Sequence, residues 1–290
     1  MRSSERPARH SLRHALLTMA AALAVSSAAA SPLVFAPLYD GSLATAPGAD
    51  ASFVRIDNAW QGSQVLWNEE TKTYGSGQTV GSFAWGTGLW GRADWELAFS
   101  GAAPAVQQWS GAVDQINYGN SRYNECYAGT WGAAALLPFF TEMVTGEDCG
   151  NAEAGAPEQQ NWAARFTGFI RVTDPGIYNF SVLYDDGFFF RLIGEGHQSL
   201  GMEQDFLNPR DRRGLVDNLE LSAGLYGFEL GSWNRLGAGV VDLRWSRGDD
   251  NWTLVPTENL ARPVSEPAAP ALLAMGVLAA LATRRRRPAH

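Results

Sequence analysis

The chain has 290 residues, with 22 basic against 30 acidic side chains and a net charge of −8 at neutral pH. Between its two basic ends, the single lysine, Lys72, and the acidic balance leave no clustered positive charge of the kind that nucleic acids or anionic membranes require. Of the four histidines, His10, His14 and His290 lie at the chain ends, so the body keeps only His197 beside two cysteines, too few for a multi-histidine zinc site.

The N-terminus reads as an address. Arg2, Arg6, Arg9 and Arg13 form a basic region offset only by Glu5, Ala15 to Val25 is apolar, and Ser27-Ala28-Ala29-Ala30 supplies small residues. This order predicts a signal helix over 1–30, cut by signal peptidase after Ala30, and hence export. Residues 31–99 form a glycine- and tryptophan-rich region. Ser31 to Ser52 is small, polar and dotted with proline, which predicts an extended or loosely packed stretch. Trp60 to Trp95 holds five tryptophans, read as core of a glycine-rich sheet rather than as a surface for stacking sugars. Gly86-Thr87-Gly88-Leu89-Trp90-Gly91 satisfies G-x-G-x-x-G. Arg92-Ala93-Asp94-Trp95 does not read as a clear amphipathic helix, so no dinucleotide site is inferred.

Helical periodicity is scarce in the body, and alternation is common. Tyr178, Phe180, Val182 and Tyr184 share one face of a strand; so do Tyr226, Phe228 and Leu230, and so do Val241, Leu243 and Trp245. Turns rich in glycine, asparagine or aspartate separate these runs. The pattern predicts an all-β sandwich or barrel. Cys126 and Cys149 read as one disulfide in an exported protein. Gly194-Glu195-Gly196-His197 reads as an exposed turn, with His197 a loop residue rather than a base. Arg247-Gly248-Asp249 and Asp249-Asp250 read as turn chemistry.

The C-terminus carries a second address: Val264-Ser265-Glu266-Pro267, an apolar run from Ala268 to Thr283, and four arginines, Arg284 to Arg287. As a helix the run spans about 24 Å, slightly short of a hydrocarbon core of about 30 Å, and the arginines favour the cytoplasmic side. Residues 264–290 resemble the sorting signal of the PEP-CTERM family, with Ser265 in place of the first proline. The resemblance implies a sorting helix that first acts as a transmembrane stop. An exosortase-type enzyme then cuts near Glu266-Pro267, and the protein reaches the surface or exterior of a Gram-negative bacterium. A retained anchor is the alternative. Without both ends, 14 basic and 29 acidic side chains remain, a net charge of −15. That charge suits divalent cations. His197 is then the only histidine.

One further order of motifs is informative: Arg165-Phe166-Thr167-Gly168-Phe169, Pro175-Gly176-Ile177-Tyr178-Asn179-Phe180, Tyr184-Asp185-Asp186-Gly187, Ala223-Gly224-Leu225-Tyr226, and a closing strand ending at Trp245. Gln115-Ile116-Asn117-Tyr118-Gly119 fits as an earlier strand. The order resembles the PA14 family over 100–260, with Cys126 to Gln160 as an insertion. It implies a PA14-like β-sandwich. In the family's sugar-binding branch, two consecutive aspartates joined by a cis peptide chelate calcium. The resemblance carries that role to Asp185 and Asp186, with Asn234 as a third ligand, carbonyls near Leu236 and Ala238, and Trp233 stacking beside the sugar. Neighbouring side chains on a regular strand point to opposite faces, so both aspartates meet one ion only where the backbone kinks. Asp186-Gly187 is also a hairpin signal, which leaves a plain turn as the alternative.

These readings predict a non-enzymatic exported protein that binds an extracellular polysaccharide or other glycan through calcium. The alternatives are a structural or adhesive matrix protein without a metal, or a polysaccharide hydrolase using carboxylates such as Asp94 and Glu96.

Overall fold

The computed structural model describes residues 31–60, 65–68, 73–76, 88–120, 123–124, 129–130, 134–141, 160–205, 211–214, 218–235, 237–248 and 251–264. The signal helix, Cys126 and Cys149, Asp249-Asp250, and the sorting signal from Ser265 onward lie outside the described residues. Val264 is exposed, and its N–H approaches the Ala44 carbonyl.

The first strands in chain order are β1 (Leu33–Phe35), β2 (Thr45–Pro47), β3 (Ala49–Ile56), β4 (Val65–Asn68) and β5 (Thr73–Ser76). Helix α1 (Arg92–Ser100) follows, then β6 (Ala105–Val113), β7 (Asn117–Gly119), β8 (Tyr123–Asn124), β9 (Gly129–Thr130) and β10 (Ala135–Leu136). The long strands come next: β11 (Trp162–Val172), β12 (Gly176–Asp185), β13 (Gly187–Ile193), β14 (Ser199–Gln204) and β15 (Asp211–Gly214). The last are β16 (Leu219–Leu221), β17 (Gly224–Asn234), β18 (Val240–Ser246), β19 (Thr253–Leu254) and β20 (Leu260–Pro263).

They assemble into an all-β sandwich. One sheet runs β1-β16-β12-β18-β7-β10, with β15 on β12 and β19 on β18. The other runs β14-β13-β17-β11-β20-β2, with β3 on β11 and β6 on β3. The alternating residues of β12, β17 and β18 predicted to share faces all enter the core between the sheets. Tyr178, Phe180, Val182 and Tyr184 meet Phe188 and Phe190 of the facing sheet there.

One alternative is decided and one expectation needs correction. Ser31 to Ser52 is extended: it supplies β1, β2 and the start of β3, and Ala49 and Ala51 are buried in the core. Small side chains there let the neighbouring backbone approach and hide the alternation. Arg92 onward does form a helix. Trp95, Ala98 and Phe99, at i, i+3 and i+4, put one apolar face on the outer side of the second sheet. The Trp95 indole N–H donates to the Ala164 carbonyl at 2.9 Å. Asp94, in the first turn, accepts the Trp90 N–H at 2.9 Å, and Asp205 accepts that of Arg92 at 2.8 Å. Gly101 ends the helix in the left-handed region. Trp90 and Trp95 are thus buried, as expected, but Trp90 precedes the helix and Trp95 lies on its inner face, rather than within a sheet.

Candidate functional site

Two crossings between the sheets lie side by side at one end of the sandwich. β12 ends at Asp185 in one sheet, and β13 starts at Gly187 in the other. β17 ends at Asn234 in the second sheet, and β18 starts at Val240 in the first. Register locks the crossings together, because Asp185 pairs with Val240 and Gly187 with Trp233. Asp185-Asp186-Gly187 is therefore not the tip of a hairpin. Tyr184 and Phe188 face the same core from opposite sheets, with ring centroids 4.4 Å apart. Packing both rings inward requires the chain to change sheets between them.

The peptide bond between Asp185 and Asp186 is cis. Asp185 is buried and Asp186 is half-buried. The Asp186 N–H donates to the Trp233 carbonyl at 2.8 Å, and its Oδ2 accepts the Arg235 N–H at 2.8 Å. These two bonds bracket Asn234. Asn234 is fully buried; its Nδ2 donates to the Gly237 carbonyl at 3.2 Å, while its Oδ1 has no hydrogen-bond partner. An unpaired buried amide oxygen costs about 1–3 kcal/mol, and native proteins rarely leave one without water or an ion.

Arg235, Gly237 and Gly239 are held from several sides. Asn120, fully buried after β7, donates through Nδ2 to the Gly237 carbonyl at 2.8 Å and accepts the Gly239 N–H at 2.6 Å. Asn161 donates its N–H to the Arg235 carbonyl at 3.1 Å. Its side chain accepts the Leu89 N–H at 3.1 Å and donates to Asn58 at 3.0 Å. Gly88, at φ +87°, lies directly against that side chain, so the G-x-G-x-x-G glycine serves packing. The Arg235 guanidinium stacks 4.4 Å over Trp90. Burial lowers its pKa, and the charge of Asp186 partly restores it.

The structure brings Asp185, Asp186 and Asn234 into one neighbourhood. Trp233 is not available for stacking on a sugar. It is out of phase with Tyr226, Phe228 and Leu230, and it is fully buried on the outer face of the sheet with Trp95 and Phe189. Leu236 lies outside the described residues, and Ala238 packs against Ala134, Leu183 and Val240. Asp94 is buried in α1, while Glu96 is solvent-facing and pairs with Arg92 at 3.3 Å. His197 sits exposed in the turn Glu195–His197. Among the described residues, no group of three or more His, Cys, Asp or Glu side chains is placed to hold a metal. The candidate centre instead combines two carboxylates with an amide. Sequence reading missed Asn120, Asn161, Arg235 and Gly239, and no local motif marks any of them.

No known family model matches the chain, and no curated protein matches it. Solved structures do. The chain is similar to PA14 domains. The PA14 domain of the antifreeze protein MpAFP is 12% identical, with 78% of this chain and 96% of that one covered, at a TM-score of 0.45. The PA14 sugar-binding domain from an RTX adhesin is 15% identical, covering 74% and 98%, at a TM-score of 0.41. The Epithelial Adhesin 6 A domain from Candida glabrata, solved with Galb1-3GlcNAc, is 13% identical, covering 82% and 95%, at a TM-score of 0.46.

Proposed function

We propose that this chain is an exported protein of the cell surface or extracellular matrix that binds carbohydrate through a calcium ion held by Asp185, Asp186 and Asn234. The observation that carries the reading is the buried, unpartnered Oδ1 of Asn234, bracketed by the two bonds that Asp186 makes to Trp233 and Arg235. The donor set fits a hard cation. It offers only oxygen, from two carboxylates and one amide, without sulfur or imidazole. Calcium takes about six to eight oxygens, so three side chains leave positions open for backbone carbonyls, water and a vicinal diol of a sugar. The protein holds the ion and fixes the face it presents, and the sugar hydroxyls complete the shell. The terminal segments fit the same reading, with signal peptidase and an exosortase-type enzyme as processing partners.

A glycan array probed with the full chain in calcium, in excess chelator, and as Asp186→Asn tests it. The expected result is binding in calcium that is abolished by chelator and by the substitution. Glycan binding that survives both treatments refutes the role of the ion. An intact mass still ending at His290 in protein from the native host refutes the C-terminal cut.

A further inference from the structure

Asn234 has two chemically opposite ends. Only its Oδ1 is able to ligate a cation, and a reversed amide would point an N–H donor at the ion. Which end faces the site is set by what the other end binds. Here Nδ2 is committed to the Gly237 carbonyl, and that carbonyl is itself fixed by Asn120. The Asn120 Nδ2 donates to the same oxygen at 2.8 Å, its Oδ1 accepts from Gly239 at 2.6 Å, and its own N–H donates to the Gly239 carbonyl at 3.1 Å. One carbonyl oxygen with two lone pairs thus serves both amides. Gly239 completes the arrangement, because a Cβ there would stand 2.5 Å from Asn234 Cγ and 2.7 Å from its Nδ2.

We propose that Asn120 is a positioning residue for the cation site: by fixing the Gly237 carbonyl it holds the Asn234 amide with Oδ1 toward the ion. The inference rests on the calcium reading above and adds a residue remote in sequence that sets the affinity without touching the ion.

The test is calcium titration of the full chain by isothermal calorimetry in two backgrounds. In the wild type, Asn120→Ala is expected to weaken binding at least tenfold. In Asn234→Asp either carboxylate oxygen faces the ion, so the orientation no longer matters. There Asn120→Ala is expected to change the affinity less than threefold. An equal loss in both backgrounds identifies Asn120 as a general loop support and overturns the proposal, as does no loss in the wild type. Asn120→Asp guards against misfolding of the alanine variant. It keeps the acceptor for Gly239 and replaces the donor facing Gly237. Simple charge attraction predicts tighter calcium binding, whereas loss of the orienting bond predicts weaker binding; tighter binding overturns the proposal. Absence of calcium binding by the wild type removes the calcium reading itself, and this inference with it.

Discussion

Gly239→Ala places a methyl group where the Asn234 side chain already stands. The added carbon would lie 2.5 Å from Asn234 Cγ, 2.6 Å from its Cβ and 2.7 Å from its Nδ2. Ordinary carbon contacts optimise near 3.5–4.0 Å, so the overlap is about 1 Å at three atoms. Asn234 has little freedom to yield, because it is fully buried and its backbone pairs with Trp162. Overpacking of this kind costs about 1–3 kcal/mol. Restricting the unfolded chain returns about 0.4–1 kcal/mol. The net loss is about 1–2 kcal/mol, which lowers the melting temperature by roughly 2–8 °C for a domain of this size. Calorimetric melting of Gly239→Ala beside Gly176→Ala measures it. A methyl group at Gly176 would meet nothing within 4 Å, so that control is expected to melt at or slightly above the wild-type temperature. A Gly239→Ala melt at or above the wild-type temperature refutes the packing of Asn234 against this glycine.

Trp95→Ala removes the cover over Trp233 and Phe189 and the bond to the Ala164 carbonyl. A loss of about 3–5 kcal/mol is expected in urea unfolding, and a change below about 1 kcal/mol would contradict the buried role of α1. The Tyr226 hydroxyl lies 3.0 Å from both the Phe35 and the Ser222 carbonyl, which share its single proton, and burial pushes its phenol up to about 12. The unfolded phenol ionises near 10, so the unfolded state sheds its proton first as pH rises. Stability held by Tyr226 is present below pH 10 and is lost between about 10 and 12. Tyr226→Phe should flatten that decline in denaturant titrations across the window, and an unchanged slope would count against the buried phenol.

The strands of the core were legible because large apolar residues alternate along them. Tyr178 to Tyr184 in β12 and Val241 to Trp245 in β18 reach the core as their spacing dictates. The same alternation places Trp233 on the opposite face from Leu230. What covers that face was hidden, because α1 is one short helix bordered by glycines, and its apolar stripe is only Trp95, Ala98 and Phe99. β3 was obscured by its alanines, whose small size conceals which face is inside. At the site, Asp185, Asp186 and Asn234 carry chemistry that a sequence displays. Asn120 and Gly239 do not: Asn120 acts through bonds to Gly237 and Gly239, more than a hundred residues away, and Gly239 through a close approach to Asn234 that only the folded loop creates.

The most direct measurement is a crystal structure of the full chain grown with calcium, supported by anomalous diffraction from a terbium soak. The account predicts one ion bound by carboxylate oxygens of Asp185 and Asp186 and by Oδ1 of Asn234, at about 2.3–2.6 Å for calcium. Carboxylates that diverge around empty space, or an Asn234 oxygen paired within the protein, would contradict it.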